Sequence, residues 1–183
     1  IEECQALGQW NKSGAILCEA AQSLERAGAD FIVICTNTMH KVADQVRRGI
    51  SIPLLHIAEE TARELLRAGI VRVGLLGTRY TMEQDFYKKK LLDSGIEVLI
   101  PAAEEREGVN RIIYEELCLG EIKPKSRDFF RTTMAGLADA GAQGIILGCT
   151  EIGLLVRPQD SPVPLFDTAE IHARNAALHA LRV

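Results

Sequence analysis

The stretch "AGADFIVICTNT", residues 27–38, decides the fold, because it returns near the other end of the chain as "AGAQGIILGCTEI", residues 140–152. Each copy runs from an Ala-Gly-Ala turn through a short apolar run into polar residues. Each is then followed by P-L-x-x-x-A-E-x-x-A, starting at Pro53 and again at Pro164. A helix end, a strand, a polar turn and a shared downstream pattern in the same order mark one structural unit present twice.

Between and around these copies the chain alternates. Short apolar runs bounded by turn residues fall at FIVI (31–34), IPLLHI (52–57), VRVGLL (71–76), IEVLI (96–100), GIIL (144–147) and VPLF (163–166). They are separated by segments with helical patterning, such as ADQVRRGI, AEETARELLRAG and SRDFFRTTMAGLADAG. Strands alternating with helices pair in parallel through crossovers, so the expected class is α/β: two similar lobes, each a mostly parallel sheet flanked by helices. Open parallel sheets bind ligands beyond the carboxyl ends of their strands, which places the site in the cleft between the lobes.

The two copies are unequal in length. The second opens at Val71, 69 residues before Ala140, whereas only 26 residues precede Ala27 in the first. The first copy is therefore short by roughly 40 residues, enough for a strand, a helix and another strand. The expected organisation is a first lobe over 1–68, its N-terminal strands missing and completed by a C-terminal helix at 168–183, and a second lobe over 69–167.

Composition excludes several function classes. The 183 residues are 47% hydrophobic and 25% charged, an ordinary globular balance. A net charge of -4 gives no footprint for nucleic acid. The one basic run, Lys88-Lys89-Lys90, reads as the wet face of a helix. No apolar run approaches the roughly 20 residues of a membrane span. Cysteines at 4, 18, 35, 118 and 149 show neither the spacing of a zinc cluster nor a disulfide framework. Reduced thiols point to a cytoplasmic setting.

The repeat also fixes a register. Cys149 lies eight positions after Gly141, and eight positions after Gly28 is Thr36 rather than Cys35. Side chains alternate across a strand, so a one-residue shift points to the opposite face. Thr36-Asn37-Thr38 should then face Cys149-Thr150-Glu151, with Cys35 turned away into the lobe. Cys149 follows Gly148, which allows a tight exit from the strand, and precedes Thr150, a natural N-cap. A helix start there would stabilise a thiolate and pull its pKa below about 8.5. Such a thiolate can abstract or return a proton; the competing reading is a small buried apolar residue.

"CTNTMH", "GLLGTRYTM" and "GCTEIGLL", followed by "PLFDTAEIHA", resemble the aspartate/glutamate racemase family over essentially the whole chain. The resemblance implies cofactor-independent racemisation of an amino acid, with neither pyridoxal phosphate nor metal. One thiol takes the α-proton from one face and a thiol of the opposing lobe supplies another to the other face. It further implies a small-molecule amino-acid substrate and a cytoplasmic homodimer. The family's first motif runs Cys-Asn-Thr-x-His, and matching Asn37, Thr38 and His40 to it sets Thr36 at the cysteine position. That agrees with the count from the glycines and leaves Cys35 as runner-up.

A threonine hydroxyl is a far weaker acid than a thiol, though it can relay or donate a proton. The expected enzyme is therefore lopsided, with Cys149 abstracting efficiently from one enantiomer. The readings held against it are a single-cysteine isomerase or decarboxylase of the same superfamily, and a catalytically weak amino-acid-binding protein. A second departure lies in "EELCLGEIK", residues 115–123: Cys118 and Leu119 stand where relatives that read a side-chain carboxylate carry a lysine, and Lys123 is off the pattern. Asn37, Thr38 and Thr150, with Thr78 and Thr81 of "GTRYT", offer hydroxyl, amide and backbone donors for an α-carboxylate. His40 reads as a structural hydrogen-bonding residue, His56 and Asp167 as equivalent strand ends that orient cleft loops. Cys4, Cys18 and Cys118 read as packing residues.

Overall fold

The computed structural model describes residues 1–181. All six apolar runs form strands: β1 (Ile32–Val33), β2 (Leu54–Leu55), β3 (Arg72–Gly77), β4 (Glu97–Leu99), β5 (Ile145–Gly148) and β6 (Leu165–Asp167). They make two parallel sheets, β1-β2 and the four-stranded β4-β3-β5-β6. Helices supply the crossovers, as parallel pairing requires. Gly28, Gly69 and Gly141 end three of the helices with positive φ, the conformation glycine adopts without penalty.

The pairing register repeats between the sheets. Ile32 pairs with Leu54 and donates its amide to the Pro53 carbonyl at 2.8 Å. Ile145 pairs with Leu165 and donates to the Pro164 carbonyl at 2.9 Å. Thus β1-β2 corresponds to β5-β6, bond for bond. The correspondence extends to the helices that follow: His56 Nδ1 caps Ile57–Arg67 through the Ala58 amide at 3.2 Å, and Asp167 Oδ1 caps Thr168–Ala180 through the Ala169 amide at 2.9 Å. The two residues expected to orient cleft loops are helix caps.

Alternation along the strands fills both faces of the larger sheet. Val73, Leu75 and Ile146 pack with Ile57, Leu65 and Ile171 on one face. Leu76, Ile145 and Leu147 pack with Ile112, Phe130 and Met134 on the other. The helices Ile57–Arg67 and Thr168–Ala180 lie against each other, so the parts of the chain that carry the two sheets share a core. A smaller cluster of Ile32, Ile34, Met39, Val46 and Leu54 covers the two-stranded sheet. No helix among the described residues is long and apolar enough to cross a membrane.

Gly148 serves the fold by close approach rather than by an unusual exit angle. It pairs with Gly77, and a Cβ at Gly148 would lie 2.7 Å from the Leu76 carbonyl oxygen, while one at Gly77 would lie 2.8 Å from the Gly148 oxygen. Gly148→Ala should therefore force β3 and β5 apart and lower stability by about 1–3 kcal/mol. A urea midpoint equal to that of the wild type would contradict this packing argument.

Candidate active site

The strand ends meet at a cleft of about 280 Å³. One wall is Cys35, Thr36, Asn37 and Thr38, which leave β1; the other is Thr78 after β3 and Gly148 to Glu151 after β5. Ile113, Tyr114 and Cys118 close one side, and Ile1, Glu2 and Gln5 lie across the top. Residues separated by more than 100 positions thus converge because parallel strands all present their carboxyl ends to the same edge.

Thr36 and Cys149 occupy matching places, each four residues beyond an equivalent paired residue, Ile32 and Ile145. Both are half-buried. Cys35 is exposed rather than turned into packed interior. It touches the cleft and also an apolar hollow of about 290 Å³ walled by Val33, Ile57, Ala169, Ala173 and Ala176. It lies beyond the end of β1, in a turn where the Thr36 amide donates to the Ile34 carbonyl at 2.8 Å, and it lines the cleft alongside Thr36.

The surroundings of Cys149 differ from the expected thiolate pocket. The following helix, Ile152–Leu155, has four residues and begins after Glu151, with no side-chain cap from Thr150. So short a helix carries little dipole. Burial, followed by the Glu151 carboxylate, pushes the thiol above its ordinary range. Cys149 Sγ donates to Glu151 Oε2 at 2.9 Å. The resting group is therefore a thiol with its proton held by a base, and Glu151 is a functional candidate that the sequence motif contains but that cap reasoning passed over.

Asn37 is also differently employed. It is 2% exposed, and its Nδ2 donates to Thr168 Oγ1 at 2.9 Å, while that hydroxyl donates to the Leu147 carbonyl at 2.8 Å. One of the two Nδ2 hydrogens is thus committed, and Oδ1, buried without a partner, is an unused acceptor that Asn37 offers. An acceptor suits an ammonium group. Thr38 Oγ1 and Thr78 Oγ1 lie 3.0 Å apart, joining the two walls. Thr81 is fully buried behind Thr78, its amide held by the Thr78 hydroxyl at 3.4 Å, so it supports a cap and does not line the cleft. Thr150 does line it.

Cys118 lies in the 3-10 turn Leu117–Leu119, exposed at the cleft, and is not a packing residue. Cys4 is buried in the helix Glu2–Ala6, and Cys18 is half-buried in Trp10–Arg26. Lys123 pairs with Glu121 at 2.6 Å and with Glu116 at 3.8 Å, away from the cleft. Among the described residues that line the cleft there is no lysine or arginine.

A sequence model of the Asp/Glu/Hydantoin racemase family matches residues 1–176, and the chain belongs to that family. Its fold is that of a solved Yersinia pestis structure, a candidate Asp/Glu racemase, with 56% identity and a TM-score of 0.93 over 98% of this chain and 79% of that one. An aspartate racemase homologue from Pyrococcus horikoshii OT3 is 42% identical, with a TM-score of 0.85 over 94% of this chain and 76% of that one. The broad specificity amino-acid racemase RacX of Bacillus subtilis is 29% identical over 87% of this chain and 68% of its own length. The chain spans about half of the Aquifex aeolicus glutamate racemase, 53%, again at 29% identity over 76% of this chain.

Proposed function

We propose that the protein racemises an α-amino acid without a cofactor, aspartate, glutamate or a related one, and that it favours one enantiomer. The observation that carries this reading is the matched placement of Cys149 and Thr36 on opposite walls of one cleft, with a base already on the Cys149 proton. The carboxylate of Glu151 takes the S–H proton, and the thiolate so formed takes the α-hydrogen of the substrate as a proton. The resulting carbanion accepts a proton on its other face from the Thr36 hydroxyl, which recovers one from water. Cys149 keeps the former α-proton as its S–H, Glu151 gives its proton to water and so neutralises the hydroxide left when Thr36 was reprotonated, and the stereocentre is inverted with no net change of atoms.

The polar groups divide between the substrate's ends. Asn37 Oδ1 accepts from the α-ammonium, and the hydroxyls of Thr38, Thr78 and Thr150 donate to the α-carboxylate. In the reverse direction Thr36 must act as base, for which a hydroxyl is poorly suited. Hence the preference for one enantiomer. A cytoplasmic homodimer fits the same reading, and all five cysteines are free, as a reducing compartment keeps them.

The second reading, a one-thiol isomerase or decarboxylase, is favoured by the hydroxyl at position 36 alone. Incubation in deuterium oxide with separate L and D forms of aspartate, glutamate and alanine decides between them. The proposal expects loss of the α-hydrogen signal in one enantiomer much faster than in the other, together with appearance of the opposite enantiomer. Thr36→Ala should suppress inversion while Cys35→Ser leaves it intact. Equal rates for both enantiomers, or loss of activity in Cys35→Ser with Thr36→Ala harmless, would overturn the assignment of position 36.

A further inference from the structure

We propose that His40 is a positioning residue for Thr36: its ring, held between the Thr36 carbonyl and the Ile57 amide, fixes the turn that presents the Thr36 hydroxyl to the cleft. This rests on the reading of Thr36 as the second proton-transfer group.

The ring's protonation is settled by its partners. The Ile57 amide donates to His40 Nε2 at 3.1 Å, and an N–H can only donate, so Nε2 is an acceptor. The proton therefore sits on Nδ1, which donates to the Thr36 carbonyl at 2.7 Å. His40 is 3% exposed and both of its nitrogens are used. Burial, with His56 beside it at a ring separation of 4.4 Å, keeps it neutral.

Comparison of the repeats shows why a side chain is used here. In the second lobe the carbonyl of Cys149 accepts a backbone bond from the Ile152 amide at 3.2 Å, closing the turn without help. The position matching His40 there is Gly153, where a Cβ would run into the Asp167 carboxylate. In the first lobe the imidazole accepts from the first amide of Ile57–Arg67, one that a helix leaves unsatisfied, and ties it to the Thr36 turn. The Thr36 hydroxyl is thereby anchored to a helix that packs in the shared core.

The test compares His40→Asn, His40→Gln and His40→Leu in deuterium oxide, with the L and D forms of aspartate, glutamate and alanine as probes. Asparagine can keep the donor to the Thr36 carbonyl, glutamine the acceptor for the Ile57 amide, and leucine neither. Two rates are read from each sample, α-hydrogen exchange with retention, which needs Cys149 and its partner Glu151 but not Thr36, and inversion, which also needs Thr36. A misplaced hydroxyl should lower inversion relative to exchange by about tenfold to a hundredfold in the Gln and Leu variants. The Asn variant should stay near the wild-type ratio. If the Leu variant fails to fold, judged by its urea transition, the Asn and Gln pair still gives the comparison. Inversion and exchange falling in step in every variant would reduce His40 to a structural part and overturn the proposal. A wild-type protein that exchanges no α-hydrogen would instead overturn the racemase reading, and this proposal with it.

Discussion

Cys149→Ser should lower α-hydrogen exchange by about 10²- to 10⁴-fold for the enantiomer that the wild type labels, with the fold intact. Serine keeps the size and the hydrogen bond to Glu151, but its hydroxyl cannot become a base that removes an α-proton at useful rates. The α-hydrogen signal of the amino acid in deuterium oxide reads the rate directly. Because Sγ already donates to Glu151 Oε2, Glu151→Gln should also slow exchange, and by less, since the thiol remains and must lose its proton to water. A Cys149→Ser protein that keeps more than about a tenth of the wild-type rate would remove the thiol from the mechanism.

The second large effect is on acid stability. His40, His56 and His172 are buried together, with ring separations of 4.4 Å and 5.8 Å from His40 to the other two. Burial lowers all three pKa values, and that of His56 is pushed down to about 4. Arg47 also faces His40; Glu59, Lys90, Arg47 and Asp44 face His56; Glu60 faces His172. Each histidine has a folded pKa below its ordinary value of 6.5, so the unfolded chain binds more protons below that pH. The contribution of His56 to stability is complete above about pH 6.5 and is lost as the pH falls towards about 4, at up to about 1.4 kcal/mol per pH unit, and His40 and His172 lose stability in the same direction below about pH 6.5. Urea midpoints taken between about pH 7 and pH 4.5 should drop steeply, and His56→Asn, which can still cap the Ala58 amide, should flatten the slope. A midpoint independent of pH over that range would refute the neutral cluster.

The strands were legible in the sequence because each is an apolar run closed by turn residues, and buried parallel strands have few other ways to be written. The matched placement of Thr36 and Cys149 followed from counting, since the side-chain period of a strand admits no slip. What the sequence hid were partners distant along the chain. Asn37 spends its amide on Thr168, 131 residues away, and no local pattern announces that. The three histidines come from separate segments and meet only when helices Ile57–Arg67 and Thr168–Ala180 pack. Cys118 belongs to an irregular turn, where helical periodicity gives no guide to facing. The thiol environment was misjudged for a related reason: a helix start was visible at Glu151, but its four-residue length and the carboxylate beside the sulfur were not.

The hydroxyl pair of Thr38 and Thr78 bears on how tightly any carboxylate can be held. Thr78 Oγ1 also lies 3.3 Å from Thr81 Oγ1, so with Thr38 donating to Thr78 and Thr78 to Thr81 both donors are engaged, and an incoming anion must exchange one hydrogen bond for another instead of rescuing a stranded donor. Such an exchange gains about 0.5–1.5 kcal/mol per bond, somewhat more to a charged acceptor. Affinity built this way is modest and release is quick. For a catalyst whose substrate and product are mirror images with the same functional groups, weak retention keeps the reverse complex from clogging turnover.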